Sequence, residues 1–119
     1  MAKSPKKKDS DKTPDDQSTD FDYREINDVI HGRVRLSVMA FLSGAGTADF
    51  TLLRSKISVT DGNLSVQLRK LEDAGYIRVE KKFNDRRPQT LCHLTKRGRA
   101  AWIAYIEQME VLMRPDAAE

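Results

Sequence analysis

Residues 60–77 read TDGNLSVQLRKLEDAGYI. Leu64, Leu68 and Leu71 recur at i, i+4 and i+7, which gives one apolar stripe at helical period. Thr60 stands where an N-cap is needed, and Asp61 follows where a negative charge suits the helix N-terminus. Gly75, just past Ala74, supplies the left-handed residue that ends a helix. With Leu64 at the centre of the buried face and about 100° per residue, Gly62, Val66, Arg69 and Lys70 lie opposite it. Asn63, Ser65 and Gln67 then fall on the flanks. This outer face is short, hydrogen-bonding and basic toward its end, and it suits a DNA groove better than open solvent.

The continuation decides the fold. Ile77 and Val79 alternate with polar residues through YIRVEKKF, as in a half-buried strand. Asn84, Asp85, Arg86, Arg87 and Pro88 form a turn-rich tip, and TLCHL at 90–94 reads as the returning strand. Helix, hairpin with a basic tip, then another helix is the order of a winged helix. NLSVQLRKLEDAGYIRVEKKF, followed by RRPQT and LTKRGR, resembles the winged helix-turn-helix regulators related to the MarR and ArsR groups. Within these it is most similar to the short, stand-alone DNA-binding proteins. The resemblance runs from about residue 26 to about residue 113. The combined pattern is more specific than any piece of it, such as LEDAGYI alone. The expected fold is therefore mainly α with a small β-hairpin, a winged helix-turn-helix. The resemblance further implies N- and C-terminal helices that form a dimer interface.

Outward from this centre, order is expected to begin near Phe21. Tyr23, Ile26, Val29 and Ile30 line one side of a short helix, which Gly32 interrupts. VRLSVMAFLS at 34–43 is strongly helical, with Leu36, Met39, Ala40 and Leu42 toward the core and Gly44-Ala45-Gly46 as its stop. IHGRVRLSVMAFL resembles the opening helix of the family. Thr47 or Asp49 caps a next helix that runs to about Lys56 and buries Phe50, Leu53 and Ile57. Ser58 and Val59 make the turn, with Val59 packed inward, and the helix at 60–74 is then the one placed to enter a major groove.

Thr95 caps a long final helix. Trp102, Tyr105, Ile106, Met109, Leu112 and Met113 fall at i, i+3, i+4, i+7, i+10 and i+11. A stripe this large and aromatic at the end of a small domain marks an association surface. Tyr23, Ile26 and Ile30 offer a second apolar face. The resemblance implies that the final helices of two chains pair with the leading helices alongside; the alternative is a last helix folded back on its own domain.

A chain of 119 residues allows one domain, here residues 21–114, between a charged tail at 1–20 and a flexible C-terminus at 115–119. The tail holds five Lys and five Asp and no apolar residue beyond Met1 and Ala2, a composition of disorder and of no secretory signal. Its Lys6-Lys7-Lys8 run reads as solubilising rather than DNA-binding. The net charge of +3 is mild, but residues 78–99 carry eight basic residues against two acidic ones. Such a single-sign cluster attracts phosphate. No stretch approaches the roughly 20 apolar residues of a membrane span, and the single cysteine fits a reducing cytoplasm.

Chemistry narrows the function. One Cys and two His (Cys92, His31 and His93) are too few for a thiol-rich metal site of the ArsR kind. His93 alternates to the other strand face from Cys92, which reads as a buried small hydrophobe, while His31 reads as a helix-end residue. No nucleophile–base pair, phosphate-binding glycine loop or paired acid site is present, so neither enzyme activity nor a cofactor is expected. Asn63, Ser65, Gln67 and Arg69 are the candidates for base edges, since Asn or Gln pairs bidentately with adenine and Arg with guanine. Thr60, Gly62, Val66 and Lys70 complete the recognition surface, some of them positioning on phosphates rather than specifying. Lys81 and Lys82 belong to the basic wing, and the resemblance carries to Arg86 and Arg87 the role of following phosphates or entering the minor groove.

The expected protein is a cytoplasmic, homodimeric transcriptional regulator that binds double-stranded DNA at an inverted repeat with half-sites about 34 Å apart. Repression is what the family resemblance implies. Two competitors are a winged-helix protein adaptor and a regulator with a small-molecule pocket near Trp102 and Tyr105.

Overall fold

The computed structural model describes residues 22–114. A single 3₁₀ turn, Tyr23–Glu25, leads to α1 (Arg33–Ala45), β1 (Thr47–Asp49), α2 (Phe50–Ile57) and α3 (Asp61–Asp73). The hairpin β2 (Ile77–Asn84) and β3 (Arg87–Leu94) follows, then α4 (Lys96–Met113). The sheet order is β1-β3-β2, antiparallel throughout. Four helices and a three-stranded sheet in this order make a winged helix. The expected tail at 1–20 and the expected flexible end at 115–119 lie outside the described residues.

The expected caps form. Asn63 N–H donates to the Thr60 hydroxyl, Leu52 N–H to the Asp49 carboxylate and Gly98 N–H to the Thr95 hydroxyl, each filling an otherwise orphaned helix-start donor. Asp49, not Thr47, therefore starts α2. Gly75 adopts φ +83 after α3, as its place past Ala74 requires. Gly46, at φ +80, ends α1, while Gly44 and Ala45 remain helical.

The core joins Ile30, Val38, Met39 and Leu42 to Leu53 of α2, to Leu64, Leu68 and Leu71 of α3, and to Ile77, Cys92 and Tyr105. Three sequence expectations are corrected, and one strand has no signal in the sequence. The leading segment is a 3₁₀ turn and loop rather than a helix, because the Asn27 side-chain oxygen accepts from Val29 and Ile30 N–H and so competes with helical bonding. Ala40 is exposed, and Val38 takes the core position. The tip is only Asp85 and Arg86, both at positive φ, so the strands extend further than the turn-rich composition implied. Finally β1, three residues with no readable periodicity, pairs Thr47, Ala48 and Asp49 with His93, Cys92 and Leu91.

Val59 is half-buried between α2 and α3, and the turn before it is closed by Ser58 in the left-handed conformation, φ 61. That geometry holds α3 outward on the domain. Val59 N–H and Ser58 N–H both return to the Arg54 carbonyl.

Candidate nucleic-acid interface

The outer face of α3 is open. Thr60, Gly62, Asn63, Ser65, Val66, Arg69 and Lys70 are exposed, and Val66 is an uncovered apolar residue at 52 %. The two flanks differ. Ser65 and Arg69 turn toward the hairpin and, with Leu68, Val79, Lys81 and Thr90, line a cleft of about 430 Å³ between helix and wing. Asn63 and Gln67, four residues apart, share the other flank, where Gln67 Nε2 donates to Asn63 Oδ1 over 3.0 Å. Of the residues expected to form the recognition surface, Gln67 is half-buried: its Oε1 accepts from Arg35 of α1.

The wing is exposed along Lys81, Lys82, Arg86 and Arg87. Cross-strand register places Lys81 opposite Thr90, Lys82 opposite Gln89 and Asn84 opposite Arg87. Lys81 therefore faces α3 on the cleft side, and Lys82 lies on the opposite face of the hairpin. The two-residue turn presents Arg86 and Arg87 at the far end of the hairpin. Pro88, opposite Phe83, lacks the amide hydrogen that a ladder needs, and β1 does not reach that far along β3.

Below the wing, His93 ties the three strands together. Its Nε2 lies 2.9 Å from Glu80 Oε1, and its Nδ1 lies 3.0 Å from the Thr47 hydroxyl. The hydrogen bond to His93 holds the Glu80 carboxyl below its ordinary range, against the opposing effect of burial and with help from the charges of Lys82, His93 and Arg78. Cys92 is buried on the other face, where loss of solvent, helped by Glu72 and Asp49, pushes its thiol up to about 11. Among the described residues no group of three or more His, Cys, Asp or Glu could hold a metal ion. No helix among them is long and apolar enough to cross a membrane.

The second predicted surface divides. Ile106, Leu112 and Met113 are exposed on α4, and Tyr23 is 75 % exposed. Trp102, Met109 and Ile26 are half-buried against the core. Ile30 and Tyr105 are corrected: both are enclosed by the chain's own core and support this surface from beneath. Tyr105 stacks on Trp102 at 5.8 Å and its hydroxyl lies 2.7 Å from His31 Nδ1, so the stripe's Tyr105 edge is spent inside the domain. Burial raises the Tyr105 phenol pKa.

Sequence reasoning missed several residues. Ile103 and Val111 are exposed apolar positions of α4 outside the stripe. Phe83, 73 % exposed, shares the α3-facing side of the hairpin with Lys81, a position the strict alternation of β2 could have revealed. Arg54 pairs with Asp61 at 2.8 Å, and Arg35 reaches Gln67; no local pattern signals either contact.

Residues 34–113 match the family described as winged helix DNA-binding domain. An uncharacterised protein of Methanocaldococcus jannaschii is 33 % identical over 81 residues, covering 68 % of this chain and 88 % of that one. The structure of the transcriptional regulator homologue protein from Pyrococcus horikoshii superposes with a TM-score of 0.72 at 27 % identity. That match covers 76 % of this chain and 92 % of the other. A MarR-family transcriptional regulator from Silicibacter pomeroyi shares the fold, with TM-score 0.58, 23 % identity and 73 % and 57 % of the two chains covered.

Proposed function

From the premise that this chain belongs to the winged helix DNA-binding domain family, we propose that it is a sequence-specific transcriptional regulator that binds an inverted-repeat operator as a homodimer. The observation that carries the reading is the open face of α3 beside a basic wing. Asn63, Ser65, Arg69 and Lys70 lie exposed there, with Lys81 across the cleft, Lys82 on the outer face of the hairpin, and Arg86 and Arg87 at its far end. Arg69 would read guanine, Asn63 and Ser65 would meet base edges or phosphate, and the wing would follow the backbone. Dimerisation through the exposed edge of α4, with Ile106, Leu112 and Met113, would set two such helices about 34 Å apart. Repression, by occlusion of a promoter in the cytoplasm, is carried over from the family resemblance.

Selection of bound duplexes from a random pool, sequenced at two salt concentrations, tests this reading. An enriched inverted repeat, weakened at single positions by Arg69→Ala or Asn63→Ala, is the expected result. Binding without any enriched sequence would make the protein a backbone-tracking architectural factor. No binding at low salt would leave the protein-adaptor reading in its place.

A further inference from the structure

The geometry points to Arg35 as a positioning residue that fixes the orientation of the Gln67 and Asn63 amides, and through them the base preference of α3. This inference rests on the reading of α3 as the DNA-reading helix.

Arg35 projects from the first turns of α1 into a junction of three segments. Its Nε donates to the Val29 carbonyl, its Nη2 to the Asp28 carbonyl over 3.3 Å and its Nη1 to Gln67 Oε1. No carboxylate pairs with it among the described residues. The guanidinium is thus a fixed fork of donors whose partners are all neutral oxygens.

That donor-only chemistry has a consequence further along. Gln67 turns its oxygen to Arg35, so its amide nitrogen faces the other way, 3.0 Å from Asn63 Oδ1. Asn63 in turn accepts through its oxygen, and its own Nδ2 is left without a partner among the described residues, on an exposed side chain. An unrestrained amide at this position reads adenine by offering donor and acceptor together. With Arg35 in place the outward groups are donors, which favours a base-edge acceptor such as guanine N7 or O6, or thymine O4. Gly32 belongs to the same device. Its φ of −140° suits any residue, but an added Cβ would lie 2.5 Å from Arg35 Nη2. The glycine is there to leave room for the guanidinium.

Gln67→Glu separates positioning from packing. The carboxylate still accepts from Arg35 but cannot donate to Asn63, which then turns its nitrogen inward and its oxygen outward. At the base identified by Asn63→Ala, the preference should move from an acceptor toward a donor and the original discrimination should fall about fivefold or more. The preference read by Arg69 should not change, and the thermal midpoint should not fall, because the new carboxylate still accepts from Arg35. Arg35→Lys and Gly32→Ala should relax the same base position. In the free protein, all three substitutions should shift the side-chain amide resonances of Asn63 in NMR spectra.

Unmoved Asn63 resonances would overturn the relay whether or not DNA binds. A Gln67→Glu protein with unaltered base preference, or losses at Arg35→Lys that fall evenly on all positions and follow the thermal midpoint, would reduce Arg35 to a packing residue. Failure of the unsubstituted protein to enrich any sequence would overturn the DNA reading itself, and the specificity role with it.

Discussion

The carbonyl oxygen of Tyr76 lies so close over Gly98 that a Cβ added to the glycine would sit 2.0 Å from it. The same carbonyl accepts from Thr95 N–H at 3.1 Å, and the Thr95 hydroxyl donates to the Gly75 carbonyl at 2.6 Å. The end of α3, the start of the wing and the start of α4 are thereby clamped at one point. Replacement by alanine would ordinarily favour a helix interior by about 1 kcal/mol. Here it pushes against backbone, which cannot rotate away. Gly98→Ala is expected to destabilise the fold by about 2 kcal/mol or more, read as a lower denaturant midpoint with an unchanged slope.

The wing turn holds Asp85 at φ 52 and Arg86 at φ 68, a pair of left-handed residues suited to a two-residue hairpin but disfavoured for side chains with a Cβ. Arg86→Gly is expected to raise stability by about 0.5–1 kcal/mol while weakening duplex binding. The loss should be uniform across sequences and accompanied by a salt slope about one unit shallower. A gain in both stability and affinity would show that Arg86 does not meet phosphate.

Leu112 is 46 % exposed and Met113 73 % exposed, so neither is needed for the domain's own core. Leu112→Asp should therefore preserve the circular dichroism spectrum and convert a dimer to a monomer in sedimentation experiments. Operator affinity should fall by more than tenfold, because two linked half-sites become independent. A native chain that sediments as a monomer at every concentration would refute the α4 interface.

Glu80 titrates below its ordinary value of 4.5 because of His93. Its folded-state pKa is depressed, so its contribution is present above that ordinary value and is lost as pH falls through the depressed one. Glu80→Gln removes the contribution at neutral pH, and the variant should lose less stability than the parent between pH 7 and pH 3. Denaturant midpoints at the two pH values give the comparison; parallel losses would mean that the His93 contact contributes nothing.

Most of the framework was legible because it is local. Thr60 and Thr95 announce two helix starts by their chemistry, Thr47 or Asp49 a third that the fold assigns to Asp49, and Leu64, Leu68 and Leu71 announce which side of α3 is buried. The leading segment misled because Tyr23, Ile26 and Ile30 imitate helical spacing, whereas Asn27 diverts the backbone with its own side chain. β1 was invisible because three residues are too short to display a period.

The residues alone fix the order of the four helices and the hairpin, the caps of α3 and α4, the open face of α3 and the basic wing, since each depends on residues within a turn or two of one another. What each face meets is settled by the packing of the whole domain. Periodicity placed Tyr105 and Ile106 on one stripe, but the packing of α4 buries the first to 2 % and leaves the second 37 % exposed. Likewise Gln67 has the chemistry of a base reader, and its oxygen is taken by Arg35, 32 residues away. A residue's type and spacing fix which neighbours it can have along the helix; the partner across the domain is chosen by the folded chain, where long-range contacts compete for the same donors and the same apolar surface.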